Sequence, residues 1–225
     1  MYKTSKETQE RKDAKRQLIM NTAARVFSRK GYHNTSVKDI VEEASVSIGS
    51  FYFYFKSKEE LFEELFVTIS ATFQEVEDRV LDTGRFSLAQ NFTRVIAATL
   101  WMYEQHRELA KIMLVEAAGV NPAFQKMRME SIKASSGAME KWFTRFAASG
   151  SANIPDVRAA ALIYVGSFYY LIQDWLESEQ DLKLTDSGYA LCIYSLQALG
   201  ITFKEEDIRR YIAEVLEELS QSDGI

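Results

Sequence analysis

The sequence is poor in the residues that interrupt or cross-link a chain. Its 225 residues include one cysteine, two prolines and ten glycines, where average usage gives roughly 11 prolines and 16 glycines. All-β folds with many turns depend on Gly and Pro, so their scarcity indicates a mostly helical protein. The single Cys192 excludes an intramolecular disulfide and a Cys-x-x-Cys redox or zinc site. We therefore expect an all-α protein in a reducing, cytoplasmic compartment.

Long hydrophobic segments are also missing. The residues from Met1 to Lys6 are polar and charged, with no apolar stretch behind them, which argues against a secretory signal. The longest apolar run, Ala159 to Ile172, has 14 residues interrupted by a glycine and a serine. That length suits a core helix and is too short to cross a bilayer. We expect no membrane partner, and the 47% of apolar residues supply a core.

The sequence signatures of common enzymes are absent as well. Neither His33 nor His106 follows a Glu by three residues, which disfavours the di-iron site of helical bundles. The chain has no HExxH, P-loop, GxSxG or GxGxxG pattern. We predict no catalytic residue, no cofactor and no metal.

The charge is unevenly distributed along the chain. A net charge of -5 argues at first against a nucleic-acid partner, because affinity for DNA comes largely from cations placed against phosphates. However, residues 1–60 hold 12 Lys and Arg against 8 Asp and Glu, a net of +4, and residues 61–225 have a net of -9. The amino-terminal part is therefore a candidate for DNA binding, and an acidic remainder weakens non-specific binding.

Apolar residues recur at helical spacing along almost the whole chain. The first helix is expected from about Arg11 to Lys30, with a stop at Gly31 and a frayed segment before it. Two short helices follow, one after Ser36 and one at about 48–54. The remaining helices are expected at about 58–84, 87–106, 108–118, 122–148, 155–178, 186–199 and 205–220.

Capping residues mark the starts of the short helices. Ser36 and Asp39 have capping-box spacing, and Ser47 is a good N-cap for the helix over 48–54. Ser57 and Glu60 have the same capping-box spacing before the fourth helix.

The second and third helices are joined by about three residues, which describes a helix-turn-helix. Its second helix enters the major groove while the first lies across the backbone. The residues run Gly31-Tyr32-His33-Asn34-Thr35-Ser36-Val37-Lys38-Asp39-Ile40, then Ala44-Ser45-Val46-Ser47-Ile48-Gly49-Ser50-Phe51-Tyr52-Phe53-Tyr54-Phe55-Lys56-Ser57-Lys58-Glu59-Glu60-Leu61. This stretch closely resembles the DNA-binding domain of the TetR (tetracycline-repressor-like, TetR/AcrR) family of bacterial transcription regulators, over roughly residues 12–62. Two positions depart from the family: Ser45 stands where a turn glycine is usual, and residues 51–55 are more aromatic than the usual Leu-Tyr-x-Tyr/His-Phe.

The resemblance implies that DNA is bound by the starts of the second, third and fourth helices. Hydroxyls, ammonium groups and helix N-termini suit phosphate oxygens, and Gly49 lets the backbone approach base edges. The implied DNA-binding residues are Thr35, Ser36, Lys38, Ser47, Ile48, Gly49, Ser50, Tyr52, Tyr54, Lys56 and Lys58.

Several residues of this region have a structural interpretation beside the functional one. Ile40, Val46, Phe51 and Phe55 are expected in the core, whereas Phe53 fits either the core or a DNA contact. Ser36 and Ser57 can cap a helix and still contact phosphate. The basic residues of the first helix can form a solvated face or touch DNA; they are Arg11, Lys12, Lys15, Arg16, Arg25, Arg29 and Lys30.

By the resemblance, residues 1–60 form the helix-turn-helix domain and residues 61–225 the effector-binding and dimerisation domain, linked by the fourth helix from about Lys58. A ligand site in such a domain forms between helices, among aromatic and Met side chains that could equally fill the core. The candidate pocket residues are Phe66, Phe92, Ile96, Trp101, Tyr103, Met113, Phe124, Met127, Phe143 and Phe168.

The resemblance also implies a homodimer that pairs through the helices at about 155–178 and 186–199. The first of these is apolar around much of its circumference, which suits burial by its own core on one side and by a partner on the other. The alternative is a central helix in a monomer. The candidate interface residues are Ala160, Tyr164, Ser167, Phe168, Leu171, Leu191 and Tyr194.

The expected function is therefore that of a homodimeric repressor bound to a palindromic DNA operator on the bacterial nucleoid. A small hydrophobic or aromatic effector would move the fourth helix, separate the recognition helices and lower the affinity for DNA. Two alternatives stay open. One is an activator, or an effector-independent member of the same family. The other is an all-helical enzyme or lipid carrier whose first helices only resemble a DNA-binding domain.

Overall fold

The computed structural model describes residues 6–80, 84–111, 114–115, 122–178 and 182–221. In these ranges it contains helices and no strand, which confirms the all-α prediction. A 3-10 turn lies at Leu184–Ser187. The α-helices are α1 Lys6–Lys30, α2 Val37–Glu43, α3 Ile48–Tyr54, α4 Lys58–Val80, α5 Leu88–Gln105, α6 Arg107–Lys111, α7 Pro122–Ala148, α8 Val157–Glu177, α9 Gly188–Ala198 and α10 Glu205–Gln221.

The chain divides into two compact units. The first comprises Met1–Ser70 and Glu108–Gln125, and the second comprises Ala71–Arg107 and Lys126–Ile225. Helices α4 and α7 each begin in the first unit and end in the second. The functional boundary at residue 60 stays a prediction.

Helix α1 begins at Lys6, earlier than the expected start at Arg11. The side chains of its first turns bond along the helix, with the Gln9 amide donating to Asp13 over 2.9 Å. Its end is as predicted, because Gly31 adopts a φ of 78° and its N–H donates to the Phe27 carbonyl over 2.8 Å. Left-handed backbone of this kind is a common helix stop, and glycine adopts it without strain.

The caps of the short helices follow the sequence closely. Ser36 and Asp39 form the predicted capping box at α2, and Ser47 caps α3 by accepting from the Ser50 N–H. At α4 the Ser57 hydroxyl accepts from the Glu60 N–H over 3.2 Å. The Glu60 carboxylate, however, bonds the Lys56 N–H, so only half of that capping box forms.

Aromatic side chains from four parts of the chain fill the core of the first unit. Phe27, Tyr32, Phe62 and Phe124 contact one another edge to face or tilted, with ring centroids 4.6 to 5.8 Å apart. Such pairs add to the free energy of burial. The core expectation holds for Ile40, Phe51 and Phe55, which are buried, whereas Val46 is half-buried.

The second unit is built around α5, whose side chains Ile96 and Leu100 are fully buried. Arg94 of α5 forms an ion pair with Glu218 of α10, at 2.6 Å between Nη2 and Oε2. Glu104 of α5 accepts from the backbone N–H and the hydroxyl of Thr185, both over 2.8 Å. These polar contacts hold the carboxyl-terminal helices against α5.

Besides α1, later helices also differ from their predicted bounds. The helix expected from residue 155 starts at Val157, with Asp156 as its N-cap. In place of one helix over 186–199, residues 184–187 form the 3-10 turn and residues 188–198 form α9. Of the segment expected at 108–118, the structure describes α6 and residues 114–115, and the rest lies outside the described residues.

Candidate nucleic-acid interface

The amino-terminal end of α3 presents small and apolar groups to solvent. Ser47, Ile48 and Gly49 are exposed, and 54% of Ile48 is accessible. Phe51, one turn further along α3, is fully buried and anchors the helix in the core. The Ser47 hydroxyl also bonds the Ser50 hydroxyl over 3.1 Å. A small, exposed helix start of this kind can approach base edges in a major groove.

Most of the predicted DNA-binding residues are accessible in the first unit. Ser36, Lys38, Tyr52 and Lys56 are exposed, whereas Ser50 and Tyr54 are half-buried. Lys38 and Lys56 each have one carboxylate at 3.7 Å, on Glu42 and Glu60, one helical turn away. Exposed pairs of this type are weak, so both ammonium groups remain available to phosphates.

Thr35, one of the predicted DNA-binding residues, lies in the segment between α1 and α2. The residue is buried, with 2% accessible, and its hydroxyl donates to the Gly31 carbonyl over 2.8 Å. The hydroxyl is thus engaged in closing the turn, and the phosphate contact of Thr35 stays a prediction. Its hydroxyl therefore stabilises the segment between α1 and α2.

Lys58, for which a phosphate contact stays a prediction, makes its own contacts within the first unit. Its ammonium donates to the backbone carbonyls of Tyr32 and Thr35, over 2.8 and 2.7 Å, and lies 4.1 Å from the centre of the Tyr32 ring. Burial lowers the pKa of this amine. The ammonium is therefore engaged inside the unit, where it joins the start of α4 to the turn before α2.

Tyr32 was not assigned a role from the sequence, yet it lies at the centre of this arrangement. The side chain is buried, and its hydroxyl donates to the Glu59 carboxylate over 2.8 Å. Burial and then the Glu59 bond raise the pKa of this phenol, whereas the pKa of Glu59 is lowered first by its own backbone N–H and then by Tyr32. The only sequence signal was its place after Gly31 in the helix-turn-helix pattern.

The cations near the carboxyl-terminal end of α1 form ion pairs with α2. Arg25 and Arg29 pair with Glu43, and Lys30 pairs with Asp39 over 2.6 Å. Lys30 and then Ser36 hold the pKa of Asp39 well below its usual range. These three cations therefore have carboxylate partners on α2 within the unit.

The predicted effector residues are divided between the two units. Phe66 and Phe124 belong to the first unit and are buried there. In the second unit, Phe92, Phe143 and Phe168 are buried and meet around Tyr164, at ring-centroid distances of 5.1 to 6.0 Å. Ile96, which lies on α5 together with Phe92, is fully buried. Trp101, Tyr103 and Met127 are half-buried. Met113 lies outside the described residues.

A separate surface groove of about 480 Å³ lies along α7. Its lining combines three cations with one indole and small residues, and includes none of the predicted effector residues. The lining residues are Lys133, Ala134, Gly137, Ala138, Lys141, Trp142 and Arg145.

The predicted dimer residues do not share one exposed face. Phe168 and Leu191 are buried, Tyr194 is 56% accessible, and Ala160, Tyr164, Ser167 and Leu171 are half-buried. The large apolar side chains that α8 leaves exposed are instead Leu162, Ile163 and Tyr170, at 52%, 57% and 74%. Sequence periodicity identified the helix, and the burial of Tyr164 and Phe168 in the aromatic cluster decided its face.

The three-helix arrangement of α1 to α3, with an exposed α3 and flanking cations, defines a helix-turn-helix DNA-binding protein. The family model for bacterial regulatory proteins of the tetR family matches residues 19–65. The regulator YhgD of Bacillus subtilis (strain 168), an uncharacterized HTH-type transcriptional regulator, is 25% identical over 190 residues, which span 83% of this chain and 97% of YhgD. Residues 19–65 therefore form a DNA-binding domain of the tetR type, and the chain is a DNA-binding transcriptional regulator similar to TetR-family proteins.

Solved structures share the fold over most of the chain. The transcriptional regulator FadR from Bacillus subtilis, in complex with stearoyl-CoA, superposes with a TM-score of 0.71 and 22% identity, over 81% of this chain and 98% of FadR. The SmeT–triclosan complex gives a TM-score of 0.71 and 19% identity, over 82% of this chain and 91% of SmeT. These similarities show that both units of the chain have the architecture of TetR-family regulators.

Proposed function

We propose that the protein is a homodimeric repressor that binds a palindromic operator in the bacterial cytoplasm and leaves it when a small apolar effector binds. The observation that supports operator binding is the exposed start of α3. Ser47, Ile48 and Gly49 are accessible to solvent there, and the buried Phe51 anchors the helix in the core. We assign the protein no catalytic role, because the relatives that it matches are transcriptional regulators.

The exposed apolar side chains of α8 and α9 support the dimer. Leu162, Ile163 and Tyr170 on α8 and Tyr194 on α9 are each more than half accessible. Large apolar side chains left exposed on a helix favour an interaction surface, and a two-fold dimer would bury the same residues on both subunits. Two copies would then offer two α3 helices to successive major grooves, one helical turn of DNA apart.

Sedimentation velocity tests the dimer directly. Ile163→Glu with Tyr170→Glu should yield a folded monomer, because two carboxylates on each side of a two-fold interface would lose their hydration and repel. Leu182→Glu is the matched control, since Leu182 is similarly exposed at 55% but lies outside these helices. A double variant that remains dimeric would place the interface elsewhere.

The aromatic cluster of the second unit supports an apolar effector. Phe92, Phe143, Tyr164 and Phe168 gather side chains from three helices of this unit. Two structurally similar proteins are seen with stearoyl-CoA, which joins a long apolar acyl chain to an anionic coenzyme A, and with the aromatic compound triclosan. The cationic groove on α7 would additionally suit an acidic group. A ligand screen therefore pairs apolar acids with their neutral analogues.

Helices α4 and α7 support a coupling between effector and DNA, because each is continuous from one unit into the other. An effector that prefers one arrangement of these helices shifts the population between DNA-competent and incompetent states. The same coupling requires DNA to lower the affinity for the effector by an equal factor. An effector that instead raised operator affinity would contradict release.

Footprinting on genomic fragments, beginning with the DNA beside the gene itself, tests operator binding. The wild type should protect a palindrome whose half-sites lie about 10 base pairs, or a multiple of that, apart. The variant Lys38→Ala with Tyr52→Ala should bind more weakly and still fold and dimerise. Absence of sequence-preferring, salt-sensitive binding by the wild type would contradict the proposal. A gene deletion that lowers transcription of the target would identify an activator.

A further inference from the structure

The amino-terminal half of α1 extends beyond the core of the first unit. The first buried residue of this helix is Ile19, and residues 7–18 are exposed except for Lys12 and Arg16, which are half-buried. A helix segment without an apolar face of its own is marginally stable in water. Something other than core packing therefore orders this half.

Two cation-aromatic contacts hold the segment beside the recognition helix. The Lys12 ammonium lies 5.5 Å from the centre of the Phe53 ring, and the Arg16 guanidinium lies 5.2 Å from the centre of the Phe55 ring. Arg16 also pairs with Glu64 of α4. Phe53 is 65% accessible on α3, so Lys12 rests on a ring that itself faces solvent. A ring face attracts an ammonium group electrostatically and fixes its position.

Between Glu7 and Arg16, charges of opposite sign occupy opposite sides of α1. At roughly 100° per residue, the cations fall within a sector of roughly 140° and the anions within the sector across from it. The cations are Arg11, Lys12, Lys15 and Arg16, and the anions are Glu7, Glu10 and Asp13. Ile19 and Ala23, which are buried, continue the cationic side. The cationic side therefore faces the same way as the packing against α3.

Three of these cations, unlike Arg16 and the cations later in α1, have no carboxylate partner among the described residues. Arg25, Arg29 and Lys30 pair with carboxylates of α2. Among the described residues, no carboxylate lies within 4.0 Å of the cationic groups of Arg11, Lys12 or Lys15. An unpaired cationic surface next to a recognition helix matches the charge of a DNA backbone.

We propose that the cationic side of α1, from Arg11 to Arg16, is a second DNA-contacting element, in which Lys12 binds a phosphate beside the major-groove site. Phe53 is the positioning residue for Lys12. Its exposed ring has no polar atom, and it holds the Lys12 ammonium near the end of α3. The proposal rests on operator binding by α3 and adds contacts outside the helix-turn-helix.

Operator affinity measured by fluorescence anisotropy at several salt concentrations tests the contact. Lys12→Gln should reduce the slope of log affinity against log salt by about 2 per dimer, and weaken binding by about eight-fold per contact near 0.1 M salt. The loss should be similar on operator and on random DNA, because phosphates carry no sequence. Lys204→Gln removes an equal charge from an exposed position of the second unit and should change the slope little.

A double-mutant cycle tests the positioning role. Phe53→Leu keeps an apolar side chain but removes the ring, and should lower the salt slope in the wild type and leave it unchanged in the Lys12→Gln background. An equal loss of operator affinity in both backgrounds would mean that Phe53 contributes to DNA binding independently of Lys12 and would overturn its positioning role. If Lys12→Gln behaved like Lys204→Gln while the wild type bound its operator, the α1 contact would be wrong and operator binding would stand. Thermal melting monitors folding of each variant.

Discussion

At the scale of single residues, the turn between α2 and α3 shows how the chain departs from its family. Among the described residues, Ser45 is the non-glycine residue that has a positive φ, of 53°. An L residue in this region is strained because its Cβ approaches the next carbonyl oxygen. The resemblance placed a glycine here, and the structure explains why that glycine is usual.

Ser45→Gly should raise the free energy of unfolding by about 1 kcal/mol, because relief of left-handed strain exceeds the extra entropy of a glycine in the unfolded chain. Urea denaturation measures the change. Ser45→Ala keeps the Cβ and should give no such gain. A gain from alanine as large as that from glycine would mean that the serine hydroxyl, and not the backbone, is responsible.

The two lysines at the start of α4 should behave differently although they are two residues apart. Lys58→Met removes both bonds to the carbonyls of Tyr32 and Thr35 and should cost about 2 kcal/mol of stability. Lys56, whose side chain is 91% accessible, should change stability by less than about 0.5 kcal/mol as Lys56→Gln and lower the salt slope of DNA binding. Urea denaturation and anisotropy separate the two outcomes. Unchanged stability in Lys58→Met, with a reduced slope, would support its phosphate role.

At the scale of elements, the ends of helices are where polar contacts substitute for apolar packing. Helix α10 buries Ile208, Val215 and Leu219, and near its end the ion pair of Glu218 with Arg94 adds a polar attachment to α5. Arg94 is 4% accessible, and its guanidinium also lies 4.4 Å from the centre of the Phe86 ring. A buried guanidinium needs its carboxylate, because an unpaired charge in the interior is costly.

Glu218→Gln should lower the free energy of unfolding by about 1 to 2 kcal/mol, less than for a fully buried pair because 58% of the Glu218 side chain is accessible. The hydrogen bond from Arg94 lowers the pKa of Glu218. The ion pair therefore stabilises the fold at neutral pH, and this contribution should fade as the pH falls below about 4.3. Denaturation at several pH values checks the trend. Glu217→Gln, one residue away and exposed, should have little effect, and an equal effect would refute the assignment.

At the scale of the whole molecule, residues far apart in sequence complete one core. Phe124 lies in the first turn of α7, yet it packs 4.6 Å from the Phe62 ring and 5.8 Å from the Tyr32 ring, in the unit that carries α3. The sequence pattern assigned Phe124 to an effector pocket because aromatic residues of the later helices were considered together. The contact shows that the DNA-binding unit is not formed by the first helices alone.

Phe124→Ala should therefore destabilise the amino-terminal unit, by about 3 kcal/mol, because it leaves a cavity beside Tyr32 and Phe62. Hydrogen exchange should show lost protection in α2, α3 and the start of α4. Phe124→Leu, which keeps most of the volume, should lose much less. Protection lost only within α7 would contradict the shared core.

The sequence by itself determined the helical class, the helix-turn-helix and most helix caps. Those features depend on neighbours within four residues: Gly31 stops α1, Ser36 and Asp39 cap α2, and Ser47 caps α3. Periodicity also selected Phe51 and Phe55 as core residues, because their spacing places them on one side of α3.

Only the tertiary structure decided which chemically similar residues share a role. Lys56 and Lys58 are the same residue type at nearby positions, but the turn before α2 provides carbonyls for Lys58 alone. Tyr164 and Tyr170 lie on one apolar helix, and contacts with Phe92 and Phe143 cover part of the first while the second stays exposed. These outcomes depend on partners far away along the chain, and no local pattern encodes such partners. The uneven charge along the sequence indicated that the amino-terminal part binds DNA. The ion pairs between α1 and α2 then showed which cations of this part have carboxylate partners.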